Sequence, residues 1–348
     1  MAEYNFLEKV LHHIALGNTI VPEACFNFEK LVISHDIDDV LNIPHIFVSG
    51  LARAGTTIIF KALYNSGQYK SLTYQHMPFI LSPNIWMSIS RYLRKKPRLE
   101  ERSHGDGIKI SFESPEAFEE VFWKTLLSSD YIKSDRLIPE VTDSSTGNLE
   151  FQKYVSLILY KAQKPYLSKN NNNILRINTL RKTFPRSHII IPFRNPLDHA
   201  TSLLEQHVKL CKNNKREDFH IRYMDYLGHH EFGPNHKPFY FDHGNEFDFV
   251  RFKNRENINY WLGYWIHVHK NIILKLNKNC HLICYESLCS SDTKLWESFC
   301  YSIGLDVVPE AIFKKSRVSH LDTTADQDLI REAESIYERM LQSKYSWA

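Results

Sequence analysis

Gly50 and Gly55 stand five residues apart in the stretch GLARAGTT, and the one charge between them is Arg53. A glycine pair of this kind cradles phosphate when it joins a strand to a helix. Successive backbone N–H groups then turn inward, and the helix adds the positive end of its dipole. A nucleotide triphosphatase closes such a loop with Gly-Lys-Ser/Thr. Here Gly55 is followed by Thr56 and Thr57, and the fixed charge sits inside the loop on Arg53. On its own the glycine pair is equally compatible with an ordinary tight turn.

The surrounding elements have to supply the strand and the helix. IPHIFVSG, residues 43–50, is a short apolar β-rich run that stops at glycine, and TTIIFKALYN carries Ile58, Ile59, Leu63 and Tyr64 at helical spacing. A second unit begins with PYLSK (165–169), continues through ILRINTLRKTFP as a helix stopped by Pro185, and reaches the buried-type strand HIIIPF (188–193). RNPLDHATSLLEQHVKL follows as a helix with Pro196 in its first turn. A third unit pairs HLICY, from His281, with a helix near 291–301. Strands alternating with helices predict an α/β fold: three layers, α/β/α, around a central parallel sheet, with ligands beyond the carboxyl ends of the strands. Those ends carry Arg53, Arg194 and Tyr285–Glu286. The segments 91–120 and 211–255 fit the alternation poorly. They read as lid or acceptor-binding insertions on a single domain spanning 1–348, with an acidic helix in SPEAFEEVFW.

Composition narrows the function classes. A 43% hydrophobic fraction over 348 residues builds a sizeable core, and a net charge of +3 implies no general affinity for nucleic acid. No stretch approaches the roughly 18 apolar residues of a membrane span. The N-terminus lacks the form of a signal peptide and reads as an amphipathic helix, so a soluble, cytoplasmic protein is expected, with oligomerisation left open. Six cysteines without a CxxC pair are expected to be reduced thiols. The histidines at 220, 229, 230, 236 and 243 match no metal-ligand spacing; they read as a solvated or substrate-lining loop whose aromatics, among them Phe239 and Phe241, wall an acceptor pocket. Trp261 and Trp265, i and i+4 on a helix, read as core.

ARAGTT resembles the 5′-phosphosulfate loop of sulfotransferases, usually Pro-Lys/Arg-Ser-Gly-Thr-Thr. Arg53 falls on its basic position, and Gly55, Thr56 and Thr57 match its end, while Ala52 and Ala54 replace the usual Pro and Ser. HIIIPFRNPLDHATSLL resembles the family's 3′-phosphate motif, a strand ending in Arg with Ser eight residues later, here Arg194 and Ser202. That pairing makes physical sense: a guanidinium offers two parallel bonds to a phosphate, and a hydroxyl two turns into the next helix adds a neutral donor. HLICYESL resembles the strand whose closing tyrosine lies near the adenine, here Tyr285, and Lys169 ends a strand in the segment similar to bacterial sulfotransferases. The resemblance runs from about Ile43 to Leu305.

The resemblance implies an enzyme that moves the sulfuryl group of 3′-phosphoadenosine 5′-phosphosulfate (PAPS) in line to an acceptor hydroxyl or amine, on a small molecule or a glycan, with no metal required. Arg53, Ala54, Gly55, Thr56 and Thr57 would hold the 5′ end, Arg194 and Ser202 the 3′-phosphate, and Tyr285 the base; Arg53 and Lys169 would meet the charge of the leaving phosphate. Family members place a general base in one of two regions, which here contain His76 in TYQHMPF and His104 in RSHGDG, with Glu113 and Glu116 as carboxylate candidates. Glu116 also suits the first turn of a helix without any catalytic role. Two other readings stay open. One is a phosphotransferase of the P-loop class, which the missing Gly-Lys-Ser/Thr disfavours. The other is a non-catalytic nucleotide-binding relative, which the altered loop permits.

Overall fold

The structure is a computed structural model that describes residues 6–33, 36–91, 100–101, 109–110, 114–139, 145–212, 218–242, 253–290, 293–314 and 325–343. Four parallel strands form its centre: β1 (Ile46–Val48), β2 (Leu167–Lys169), β3 (His188–Phe193) and β4 (Cys280–Cys284), in the spatial order β2-β1-β3-β4. Val48 lies opposite both Lys169 and Ile190, and Phe193 opposite Cys284, so the carboxyl ends line up along one edge. Beyond β2 the chain at Lys70 adds a parallel bridge to Tyr166, with Lys70 N donating to Pro165 O at 2.9 Å and Leu167 N to Lys70 O at 2.8 Å.

β1 is apolar throughout, and β3 and β4 nearly so, because both faces are covered. Side chains alternate across the sheet. Ile46, Val48, Ile190 and Ile283 pack with Ile59, Phe60 and Leu63 of the loop helix (Thr56–Asn65) and with Trp296 and Phe299. Phe47, Ile189, Ile191 and Leu282 face the larger core that holds Phe151, Phe184, Leu203, Trp261 and Trp265. This is the three-layer α/β/α arrangement predicted from the alternation, and both tryptophans are fully buried as expected. Six free cysteines are present at 25, 211, 280, 284, 289 and 300. No helix among the described residues is long and apolar enough to cross a membrane.

Two expectations are corrected. The helix expected across SPEAFEEVFW begins only at Glu120. Before it, Pro115 bridges Thr73 in antiparallel fashion and Glu116 N donates to Leu72 O at 3.3 Å, so Glu116 lies on extended chain rather than in a first helical turn. The described part of 211–255 is largely packed, not solvated. His230 and His236 are buried, and Phe239 and Phe241 belong to the core; His236 lies 4.9 Å from the Trp261 ring. α-Helix Ile258–Lys275 offers its aromatics and histidines an apolar face, with Phe239 6.3 Å from the Tyr264 ring and Phe241 5.6 Å from the His267 ring. His243, His104 and Glu113 lie outside the described residues, as does the side chain of His220.

Candidate active site

The aligned strand ends bring four groups to one edge of the sheet: Lys169 from β2, the 50–57 loop from β1, Arg194 from β3 and Tyr285 from β4. The loop leaves β1 through Ser49, whose N–H donates to Ile190 O at 2.9 Å. It enters its helix through Gly55 at φ +99°, where a Cβ would stand 2.4 Å from the Tyr285 ring. Only glycine gives both that backbone and that closeness. Arg53 sits at φ +69°, an unfavourable region for a side chain with a Cβ.

The loop's carbonyls are held from the β3 side. His199 Nε2 lies 2.8 Å from Ala52 O, and Arg194 Nη1 donates to Arg53 O at 2.9 Å. Trp265 Nε1–H donates to His199 Nδ1 at 3.2 Å, which fixes the proton on Nε2 and makes that nitrogen the donor to Ala52. Burial, reinforced by the charges of Arg194 and Arg53, pushes the His199 pKa well down, so the ring stays neutral. Ala54 N donates to Leu51 O at 3.3 Å and closes the turn, and the helix that begins at Thr56 brings the positive end of its dipole to the same edge, a setting that favours an anion.

Arg194 and Ser202 meet the loop directly. Arg53 Nε donates to Ser202 Oγ at 3.3 Å, so the two basic anchors and the serine form one cluster. The Arg194 guanidinium is buried, with its centre 5.8 Å from the Tyr285 ring and its Nε 3.9 Å from Glu286 Oε1. Glu286 Oε1 also accepts from Asn195 N at 3.0 Å, which holds the chain just after β3 in place.

On the β2 side Lys169 is buried at the strand end and is followed by Asn170–Asn173 in a 3-10 turn. A buried carboxylate platform pins this turn. Asn170 Nδ2 donates to Glu120 Oε2 at 2.7 Å, Asn173 Nδ2 to Glu119 Oε1 at 2.8 Å, and Arg176 pairs with Glu120 at 2.8 Å. Burial alone would raise the Glu120 pKa, but Arg176 and the Tyr131 hydroxyl hold it below the usual carboxylate range. Asn171 then reaches the loop helix, with Thr56 Oγ1 donating to its Oδ1 at 3.4 Å, and on its other side its Nδ2 donates to Glu231 Oε1 at 3.0 Å.

His76 follows the edge segment beyond β2. It is buried, and its Nδ1 accepts the Thr73 N–H at 2.9 Å in a capping box. A neutral imidazole that accepts at Nδ1 carries its proton at Nε2 and has no second lone pair to offer. His76 is therefore built here as a turn cap. Glu116 lies close by in the pairing with 72–74 and accepts from Tyr74 OH at 3.1 Å and from Ala117 N at 3.0 Å. The sequence reading missed Asn171, His199 and Glu231. A run of four asparagines directly after a strand-end lysine was the available signal for the first; nothing local marks the other two.

The sulfotransferase family model matches residues 44–233, more than half of the chain. Among solved structures the chain is similar to sulfotransferase STF1 from Mycobacterium tuberculosis, at 13% identity and a TM-score of 0.50, covering 100% of this chain and 88% of that one. It is similar also to a sulfotransferase from Alicyclobacillus acidocaldarius (13% identity, 87% and 94% covered, TM-score 0.40) and to a mouse sulfotransferase complexed with PAP (13%, 72% and 96%, TM-score 0.30). No curated protein sequence matches it.

Proposed function

The chain belongs to the sulfotransferase family, and from that premise we propose that it moves the sulfuryl group of PAPS to an acceptor hydroxyl or amine on a small molecule or glycan. The observation that carries this reading is the tied loop: carbonyls of Ala52 and Arg53 held by His199 and Arg194, beside Ser202 and opposite Lys169. A donor with phosphate at both its 3′ and 5′ positions fits such a paired anion site. Arg194 and Ser202 would hold the 3′-phosphate, Arg53 and the loop from Ala54 to Thr57 the 5′ end, and the Tyr285 face the adenine. Arg53 and Lys169 then oppose the negative charge that builds on the departing phosphate, where fixed cations stabilise an in-line transition state. Glu119, Glu120, Gly228 and Glu231 meet the asparagine turn beyond β2, and we assign the segments 91–120 and 211–255 to acceptor binding.

The test has two steps. Thermal shifts with adenosine 3′,5′-bisphosphate, ATP with magnesium, and GTP identify the nucleotide; stabilisation by ATP but not by the bisphosphate would overturn the donor. Incubating cell extract with radiosulfur-labelled PAPS and the chain then identifies the acceptor from the labelled product. Bisphosphate binding without any labelled product would instead favour a non-catalytic relative.

A further inference from the structure

We propose that His229, oriented by Glu231 and through it by Asn171, is the base that takes the acceptor's proton. The inference rests on the donor reading above and deepens it by naming the group that completes the reaction.

The segment that carries His229 crosses the asparagine turn beyond β2. Gly228 makes the crossing at φ +70°, where a Cβ would stand 2.6 Å from Glu120 Cγ. Asn172 Nδ2 donates to Gly228 O at 3.2 Å, and Asn171 Nδ2 to Glu231 Oε1 at 3.0 Å. The other Glu231 oxygen lies 3.5 Å from His229 Nδ1. Three links therefore run from Thr56 of the donor loop to the imidazole: Thr56 to Asn171, Asn171 to Glu231, Glu231 to His229.

Each link has the chemistry a base requires. Burial would raise the Glu231 carboxyl, but the facing His229 and the nearby Lys169 charge hold it well below the usual range, so it stays anionic. An anionic oxygen at Nδ1 selects the tautomer that leaves the Nε2 lone pair available, and it stabilises the imidazolium once the proton arrives. About a fifth of the His229 side chain remains accessible (21%). By contrast His199 and His236 are fully engaged with protein groups, and His76 caps a turn. The other charged groups of this segment face one another: His230 Nε2 lies 3.9 Å from Asp225, which also pairs with Lys124, and Lys237 acts on His230.

In the step itself the acceptor oxygen bonds to sulfur while the bond from sulfur to the bridging phosphate oxygen breaks. The electron pair of that bond leaves with the bisphosphate. The acceptor's proton moves to His229 Nε2 and from there to water.

The test uses the full chain with the His229→Ala, Glu231→Gln and His76→Ala variants. Calorimetry with adenosine 3′,5′-bisphosphate comes first. A wild-type chain that does not bind it sinks the donor reading; His229→Ala is expected to bind within about threefold of wild type. Turnover is followed as bisphosphate release from PAPS, with water and with an alcohol found in the extract screen. It should drop roughly 10²–10⁴-fold in His229→Ala. The fall in rate toward acidic pH should vanish with it, and added imidazole should restore part of the rate in this variant alone. Nitrogen-15 correlations of the ring give a readout that needs no acceptor: the neutral His229 proton is expected on Nδ1 in wild type and displaced in Glu231→Gln. A proton found on Nε2, full turnover in His229→Ala, or an acidic limb that survives there and disappears in His76→Ala would overturn the assignment.

Discussion

Replacing Arg194 by Ala should separate the two ends of the donor. Its guanidinium is buried at the end of β3 and donates to Arg53 O at 2.9 Å, and in the proposed donor reading it also meets the 3′-phosphate. A hydrogen bond to a charged group contributes about 1.5–3 kcal/mol, so two such bonds to the phosphate amount to roughly 3–6 kcal/mol. At 1.4 kcal/mol per tenfold, affinity for adenosine 3′,5′-bisphosphate should fall about 10²–10⁴-fold. Adenosine 5′-monophosphate lacks the 3′ group and senses only the freed Arg53 carbonyl, which water can reach; its loss should stay within about tenfold. Calorimetric titration of both nucleotides at one salt concentration, with Arg194→Lys as the variant that keeps charge but loses the fork, measures the ratio. Equal losses for the two nucleotides would refute the assignment of Arg194 to the 3′-phosphate.

Gly55→Ala should weaken bisphosphate binding at least tenfold, because the new Cβ would fall 2.4 Å from the Tyr285 ring on a backbone at φ +99°; a calorimetric titration that gives wild-type affinity would contradict this. Arg53→Gly relieves the φ of +69° while deleting the charge, so turnover should drop roughly 10²-fold or more with donor affinity changed far less; a rise in the Michaelis constant at unchanged turnover would contradict a role on the leaving phosphate. Burial pushes His45, His207, His269 and His281 down to about 4 and His236 to about 3. In the unfolded chain these rings protonate near 6.5, so their contribution to stability is intact above that pH and is lost as pH falls toward 4, at about 1.4 kcal/mol per pH unit for each ring. Unfolding midpoints measured between pH 7.5 and 4.5 should decline steeply below 6.5, and a flat profile would show that the rings are not buried neutral.

The parallel sheet was legible because its central strands are short apolar runs, a pattern that burial on both faces imposes. Lys169, Arg194 and Tyr285 stand where strands end, and Arg53 is the one charge between the two glycines that follow β1. Spacing along the chain carries no such signal for His199 or Glu231. His199 lies on a helix that reads simply as amphipathic, and its function depends on Trp265, 66 residues away, which supplies the donor that sets its tautomer. Glu231 joins Asn171 across 60 residues through a turn that Gly228 makes. The acidic stretch before Glu120 misled because helix propensity there yields to pairing with 72–74, a contact made only once the edge segment is in place.

In the proposed donor reading one guanidinium both takes the 3′-phosphate and holds the carbonyl of Arg53, so a change at the 3′ end is felt, more weakly, at the 5′ end. A redesign that removed Arg194 to admit a donor without the 3′-phosphate would also loosen one of the two ties on the 50–57 loop. A workable redesign would first supply Arg53 O with another donor, such as an asparagine from the start of the following helix, and only then alter the 3′ contact.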